Sequence, residues 1–249
     1  MCRFEVYRTA IFFIRLSSPY IKHFVSDLFT LSRLPILGLI DMYKIKLAIV
    51  LLIVVATAVS CIDPLYPNEQ MLQHLGTLLL FVPLARDLFR NKLPLPAFIG
   101  IACFTFLHIL GAHYIYSYVP YKEWAVTLNI VDADFFQSPR NHFDRLVHFS
   151  FGLLILPSML HLAKQWIKDN TWTALFMAWL MIQTGSLIYE LFEWSLTIVM
   201  ASESADYYNG QQGDMWDAQK DMALALVGST ITSGIYAISF YFSRQKNLN

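Results

Sequence analysis

Residues 47–61 read LAIVLLIVVATAVSC, an unbroken apolar run that decides the class of fold. With its flanks it approaches the ~20 apolar residues that a transmembrane helix requires. The whole chain shares this character, because its 249 residues are 56% hydrophobic and only 14% charged, against roughly 25% charged residues in typical soluble domains. Its three cysteines are too few and too scattered for a disulfide scaffold or a thiolate zinc site. The composition therefore excludes a soluble enzyme, a disordered chain and a collagen-like protein, and it predicts an integral membrane protein.

Working outward from this run, the hydropathy of the chain predicts six transmembrane helices. Because lipid offers no hydrogen-bond partners to the backbone, each crossing must be a helix, and the predicted fold is an all-α, polytopic membrane helix bundle. The second run is short and carries Gln73 and His74, whereas the fifth is longer than a span requires and is expected to tilt or to project into water. The six predicted spans are residues 45–62, 71–85, 93–119, 146–163, 171–201 and 222–242.

The charged residues orient these spans. Eighteen basic residues balance eighteen acidic ones, so the net charge of zero gives no indication of a nucleic-acid partner. Counted by loop, however, fourteen of the eighteen basic residues fall on one side of the membrane, which predicts by the positive-inside rule that both termini are cytoplasmic. Most acidic residues fall in the opposite loops or at their borders. The basic residues predicted to lie outside are Lys122, Arg140, Arg145 and Lys220.

The first 41 residues are predicted to stand apart from a six-span domain that covers residues 42–249. They contain short apolar stretches around the break SSP at residues 17–19, and no run reaches spanning length. Two interpretations stay open: an interfacial amphipathic arm, or a translation start that truly lies at Met42. Whether the first span is cleaved before Cys61, in the manner of a signal peptide, is also left open.

Ionisable residues in the fourth and fifth spans gather toward the predicted outer side. Such residues are costly inside a membrane and by default mark a functional site. Asp144 and His148 are four residues apart, so they share one helix face at the outer end of the fourth span. Steps of three and four residues also place several polar side chains of the fifth span in one stripe. This stripe consists of Gln183, Ser186, Glu190 and Glu193.

The start of the sixth span adds three further carboxylates at the same side. If the helix begins early, Asp214, Asp217 and Asp221 follow steps of three and four residues and share a face. Three helices would then each present carboxylates toward one another at their outer ends. The pattern predicts a shared cavity that is open to water on the outer side of the membrane.

Carboxylates and imidazoles at helical spacing indicate either a divalent-metal site or acid–base chemistry. The predicted metal ligands are Asp144, Asp214, Asp217 and Asp221. The candidates for catalysis are His148, Glu190 and Glu193. The candidates for substrate binding are Arg145, Lys220, Gln212 and Trp216. Structural roles stay open for the same residues, because acidic side chains also favour helix N-termini and pair with basic neighbours.

Three segments carry a resemblance to a known family. They are NHFDRLVHF at residues 141–149, YELFEW at 189–194 and QGDMWDAQKDM at 212–222. These segments resemble the YjdF-type family of bacterial inner-membrane proteins, from about Met42 to the end of the chain. That resemblance implies a multi-pass protein of the inner membrane and supports the acidic, histidine and Arg145 candidates, but it supplies no reaction. The order of the motifs is also similar to the VanZ-like membrane proteins, which hints at the cell envelope, although Asp221 stands where that family more typically has Asn.

Two functional hypotheses follow. In the first, the protein is an enzyme or resistance-type factor that acts on an envelope lipid or a lipid-linked glycan from the outer leaflet. Glu190 or His148 would be the base, and the aspartates Asp214, Asp217 and Asp221 would either hold a divalent metal ion as cofactor or orient His148. In the second, it is a non-catalytic binding or interaction protein whose polar cluster only stabilises helix packing. Transport is disfavoured, because the inner halves of the predicted spans offer almost no polar groups.

The predicted topology can be tested with reporter fusions. Alkaline phosphatase fused after Lys168 or after Ser243 should be inactive, because both positions are predicted to face the cytoplasm, where the enzyme does not fold. A fusion after Lys122, in a predicted outer loop, is the active control. Activity after Lys168 or Ser243 would overturn the predicted orientation.

Overall fold

A computed structural model describes residues 42–132, 135, 139–199 and 211–246. In these ranges the chain forms seven α-helices, one short 3-10 helix and no strand. The predicted N-terminal extension, residues 1–41, lies outside the described residues, so its two interpretations, an interfacial arm or a translation start at Met42, both stay predictions. The α-helices are α1 (Met42–Ser60), α2 (Pro67–Arg90), α3 (Leu95–Tyr114), α4 (Tyr121–Thr127), α5 (Phe143–Trp166), α6 (Thr171–Val199) and α7 (Asp217–Lys246), and the 3-10 helix is Tyr116–Tyr118.

Five of the described helices are long and apolar enough to cross a membrane, namely α1, α3, α5, α6 and α7. This confirms an all-helical chain with several membrane-spanning helices. The helix α2 has 24 residues, which is ample length, but buried Gln70 and Gln73 and the charged residues near its end reduce its hydropathy. A sixth span at α2, like the orientation of the termini, stays a prediction.

The ends of the helices differ from the predicted spans where the backbone breaks. The predicted third span, residues 93–119, is helical only to Tyr114, because Ile115 has a φ of 55° and the chain then turns into the 3-10 helix. The helix α5 begins at Phe143, three residues before the predicted span. The helix α7 begins at Asp217, so Asp217 and Asp221 lie on it while Asp214 lies in the preceding turn.

Residues 43–234 form one compact unit, which contains every side chain of the site discussed below. The central helix of this unit is α5, which packs against both α3 and α6. A second unit comprises residues 1–42 and 235–249, of which the structure describes Met42 and the last turns of α7. In those turns the amide of Gln245 donates a hydrogen bond of 2.7 Å to the Tyr241 hydroxyl.

Lys46 joins the start of α1 to the connection between α2 and α3. Its side chain is only 2% exposed, and its ammonium group donates to Asp87 Oδ2 at 2.6 Å, Asn91 Oδ1 at 2.8 Å and the Leu93 carbonyl at 3.0 Å. A buried charge is costly unless it is paired and hydrogen-bonded. All three ammonium protons of Lys46 have acceptors here, so the lysine stabilises the junction of three helices.

Two glycines bring α5 and α7 into direct backbone contact. A Cβ added at Gly152 would lie 2.6 Å from the backbone nitrogen of Ser229, and a Cβ added at Gly228 would lie 2.9 Å from the backbone nitrogen of Leu153. The Thr232 hydroxyl donates a hydrogen bond of 2.8 Å to the Leu153 carbonyl across the same contact. Small residues at helix contacts are typical of membrane bundles, because they allow close backbone approach. We call this the glycine contact.

The glycine contact predicts a position-specific loss of stability. In the variant Gly152→Ala the new methyl group collides with the backbone of α7, so the two helices must separate, at a cost of about 1–3 kcal/mol. The matched control is Gly234→Ala on α7, because nothing lies within 4 Å of a Cβ at that position. Thermal unfolding of the purified variants in detergent measures the difference. Equal melting temperatures for the two variants would contradict the contact.

Candidate functional site

The first turns of α5 and α7 position the predicted polar residues. The backbone N–H of Phe143 donates to the Asn141 side chain at 3.0 Å, which accounts for one N–H group at the start of α5. Asp144 and His148 follow in the first two turns and face the same direction, as their spacing predicts. Because the glycine contact lies further along the same helix, this face is turned toward α7.

Asp144, His148 and Asp221 form a compact cluster between α5 and α7. One ligand atom from each side chain lies within 4.8 Å of the other two, and His148 Nε2 lies 3.6 Å from Asp144 Oδ1. Each of the three residues is at most 6% exposed. We call this group the carboxylate–histidine cluster. It combines two predicted metal ligands with a histidine that was predicted to act in catalysis.

Glu190 approaches the same imidazole from α6. Its Oε1 lies 3.5 Å from His148 Nδ1, whereas Asp144 lies near the other ring nitrogen, Nε2. A metal-bound histidine usually donates its second ring N–H to a carboxylate, which fixes the orientation of the ring. Glu190 is placed to accept that N–H, so the geometry suits a supporting partner of His148.

Several buried oxygen atoms around the cluster lack a hydrogen bond to any described residue. They include Asp221 Oδ1, Glu190 Oε1 and the hydroxyl of Ser186. Buried polar atoms without partners are costly and uncommon in native structures. Asp221, a member of the cluster, therefore has a buried carboxylate oxygen without a hydrogen bond from the described residues, which suits the binding of a cation.

The other predicted metal ligands, Asp214 and Asp217, are paired with basic side chains. Arg140 forms an ion pair with Asp217 Oδ1, and Arg145 Nη2 lies 2.5 Å from Asp214 Oδ2 and 3.4 Å from Asp217 Oδ1. Lys220 Nζ lies 2.6 Å from Asp214 Oδ2. Hydrogen bonds from the Lys220 ammonium and from the backbone N–H of Trp216 lower the pKa of Asp214 to about 2. We call these contacts the ion-pair layer.

The remaining candidates take different places. Glu193 is buried one turn beyond Glu190 and accepts a hydrogen bond from the hydroxyl of Tyr189. Gln212 exchanges two hydrogen bonds of 2.9 Å with the backbone of Asn141. Trp216 is 57% exposed. Arg145 and Lys220 belong to the ion-pair layer, so their charges are already used.

Arg140 was not among the predicted site residues. It lies in the loop before α5, and its guanidinium group joins Asp217 to the Gln211 carbonyl, with an Nη1–oxygen distance of 2.5 Å. Two features of the sequence could have indicated Arg140 as a site residue. It directly precedes the NHFDRLVHF segment, and it is one of the few basic residues predicted to lie outside. Spacing could not identify its partner, because Asp217 lies 77 residues further along the chain.

The fold and the site define a class: a multi-pass helical membrane protein with a buried cluster of carboxylates and histidine at one end of its bundle. Residues 45–242 match the family described as "Predicted membrane protein (DUF2238)", and the chain belongs to that family. It is 31% identical over 146 residues to a protein named "Inner membrane protein YjdF" from Escherichia coli (strain K12). This alignment covers 55% of the chain and 63% of that relative, hence less than two thirds of its length. These matches confirm the resemblance to the YjdF-type family, and no solved structure matches the chain.

The ion-pair layer predicts unequal effects of two charge-removing substitutions. In Asp217→Asn, the guanidinium group of Arg140 loses its buried carboxylate partner, and the expected loss is about 3–5 kcal/mol of unfolding free energy. In the control Lys220→Met, the lost ion pair involves a lysine side chain that is 49% exposed, and we expect little change. Thermal unfolding in detergent separates the two. A larger effect of Lys220→Met would contradict the burial of the Asp217 pair.

Proposed function

We propose that this protein is a metal-dependent enzyme of the bacterial inner membrane that acts on an envelope lipid or a lipid-linked glycan at the outer side. The location is supported by the name of the Escherichia coli relative and by the five apolar helices. The observation that carries the proposed chemistry is the carboxylate–histidine cluster, in which ligand atoms of Asp144, His148 and Asp221 lie within 4.8 Å of one another.

The donor set suits a divalent cation. Two carboxylates and one imidazole are hard and borderline ligands of the kind that Mn²⁺ and Zn²⁺ accept. Three protein ligands leave further coordination positions for water or substrate, as catalytic metal sites do. In this arrangement His148 would bind the cation through Nε2, the nitrogen nearer to Asp144. Its Nδ1–H would donate a hydrogen bond to Glu190.

The roles of the protein side chains follow from this arrangement. A bound divalent cation supplies Lewis acidity and lowers the pKa of a coordinated water. Glu190 acts as a positioning residue for His148. Glu193, the next carboxylate on the same face of α6, is outside the proposed ligand set and is our candidate for the general base or acid. The glycine contact holds the ligands of α5 and α7 at a fixed separation.

A non-catalytic role is the second candidate, and the ion-pair layer favours it. Its contacts tie the turn before α7 to α5 through Arg145 and to the loop before α5 through Arg140, which is what a purely structural polar cluster would do. Under this alternative, the buried carboxylates stabilise helix packing without a cation. The two candidates therefore differ in the metal content of the protein.

Metal analysis of the purified protein tests the proposal. We expect close to one divalent ion per chain, and we expect Asp221→Asn to abolish its retention because a ligand is lost. The supporting variant Glu190→Gln should bind the ion with about 10–100-fold lower affinity. Asp214→Asn is the matched control, because it removes the same charge from the neighbouring ion-pair layer and should leave the metal content unchanged.

Two outcomes would contradict the enzyme proposal. One is a folded protein that carries no divalent ion after purification without chelators and takes up none when Mn²⁺ or Zn²⁺ is added. The other is equal loss of metal in Asp214→Asn and Asp221→Asn, which would indicate general charge binding at the acidic surface. A metal-free protein whose melting temperature falls in Asp221→Asn would support the packing role.

A further inference from the structure

The short helix α4 lies where two membrane-spanning helices end. The 20 residues of α3 give it a length of about 30 Å, which equals the thickness of the hydrocarbon core, so Tyr114 at its end lies near a membrane surface. The ring centroid of Trp124 on α4 lies 5.7 Å from that of Tyr114. The Tyr121 hydroxyl accepts a hydrogen bond of 3.0 Å from the backbone N–H of His142, directly before α5. The helix α4 therefore lies at the level of the membrane surface.

This helix exposes its apolar side chains. None of its seven residues, all of which the structure describes, is buried. Trp124 and Leu128, which directly follows the helix, are four residues apart and share one side of it, and they are 38% and 68% exposed. Ile130, two residues further, is 69% exposed. Neighbouring exposed apolar groups of this kind mark a contact with another molecule or with a membrane.

The backbone at the end of α4 has its N–H groups bonded within the helix. The N–H of Asn129, which has a φ of 52°, donates to the Val126 carbonyl at 3.0 Å. The N–H of Ile130 donates to the Ala125 carbonyl at 2.9 Å. Together these bonds form a Schellman motif, which ends a helix without leaving these groups to solvent. Because lipid offers the backbone no hydrogen-bond partners, this ending suits a segment that enters the membrane surface.

The turn before α7 adds two exposed apolar residues at the same end of the bundle. Met215 is 84% exposed and Trp216 is 57% exposed. This turn is held beside the start of α5, because Arg145 Nη2 lies 2.5 Å from Asp214 Oδ2. The ends of three membrane-spanning helices therefore carry exposed apolar side chains. We call these side chains the interfacial surface: Trp124, Leu128, Ile130, Met215 and Trp216.

We propose that the interfacial surface inserts into the membrane leaflet at this end of the bundle, at the boundary between lipid headgroups and acyl chains. Lipid is the occupant because the surface adjoins a membrane-spanning helix, through the contact of Trp124 with Tyr114. Tryptophan is also enriched at this level of membranes. The exposed Glu123 lies roughly 140° around the helix from Leu128, so α4 has a charged side for water and an apolar side for lipid.

Insertion of α4 has a consequence for the ion-pair layer. Lys122 Nζ donates to the Arg140 carbonyl at 2.8 Å, and the guanidinium group of Arg140 pairs with Asp217. A lipid-bound α4 thus holds the ion-pair layer at a fixed level relative to the membrane surface. This inference requires neither a bound metal ion nor a reaction, so it stands apart from the proposed function.

Spin labels measure the depth of each position in the membrane. A nitroxide is attached at Leu128→Cys, Ile130→Cys or Met215→Cys, in the full chain with its three native cysteines replaced by serine, reconstituted in lipid nanodiscs. Collisions with oxygen, which concentrates among acyl chains, and with a water-soluble nickel chelate report the depth. We expect these labels to lie about 5–10 Å into the boundary between headgroups and acyl chains. The control label, at Glu123→Cys on the same helix, should be reached by the nickel chelate in water.

The proposal requires all three labels to be inserted. Labels at Leu128 and Ile130 that the nickel chelate reaches as readily as the control label would overturn it. Labels shielded from both oxygen and the chelate would also overturn it, because protein and not lipid would then cover the surface. The label at Met215 lies outside α4, so it tests insertion even where a label disturbs that helix. Adding Asp221→Asn should leave the depths unchanged, which separates this result from the metal proposal.

Discussion

The backbone contact between α5 and α7 is the constraint on which the site depends. At the glycine contact no side chain separates the two helices, so their distance is set by main-chain atoms and cannot adjust by a change of rotamer. His148 precedes Gly152 by four residues and Asp221 precedes Gly228 by seven, so both lie on the faces that the contact brings together. The glycines, one or two turns away, thereby fix the relative position of the Asp221 carboxylate and the His148 imidazole, which lie on different helices.

The acidic residues of the site fall into two groups with different partners. Asp214 and Asp217 are neutralised by Arg140, Arg145 and Lys220 at the entrance of α7. The deeper group, with Asp221 and Glu190, has buried oxygen atoms that receive no hydrogen bond from the described residues. Because the basic side chains are used by the first group, the second group must be stabilised in another way. Under the proposed function, a bound cation would meet this requirement.

Much of this organisation could be predicted from the sequence, because it depends on local spacing. Hydropathy identified the helices of the bundle, and the four-residue step placed Asp144 and His148 on one face. The partner of each carboxylate could not be predicted, since three aspartates at similar spacing were equivalent until the start of α7 was known. The pairing of Arg140 with Asp217 joins residues that are 77 positions apart in the sequence. Such pairings depend on how the helices pack, which one sequence does not reveal.

The buried lysine of α1 has a consequence for membrane insertion. Lys46 is synthesised 41 residues before its main partner, Asp87. Until α2 is complete, the ammonium group has no carboxylate to pair with, and its long side chain must reach the lipid headgroups to stay hydrated. When Asp87 and Asn91 arrive, the ammonium group gains its buried acceptors and the start of α1 is held against α2. The position of the start of α1 is therefore fixed late, by residues that are synthesised after it.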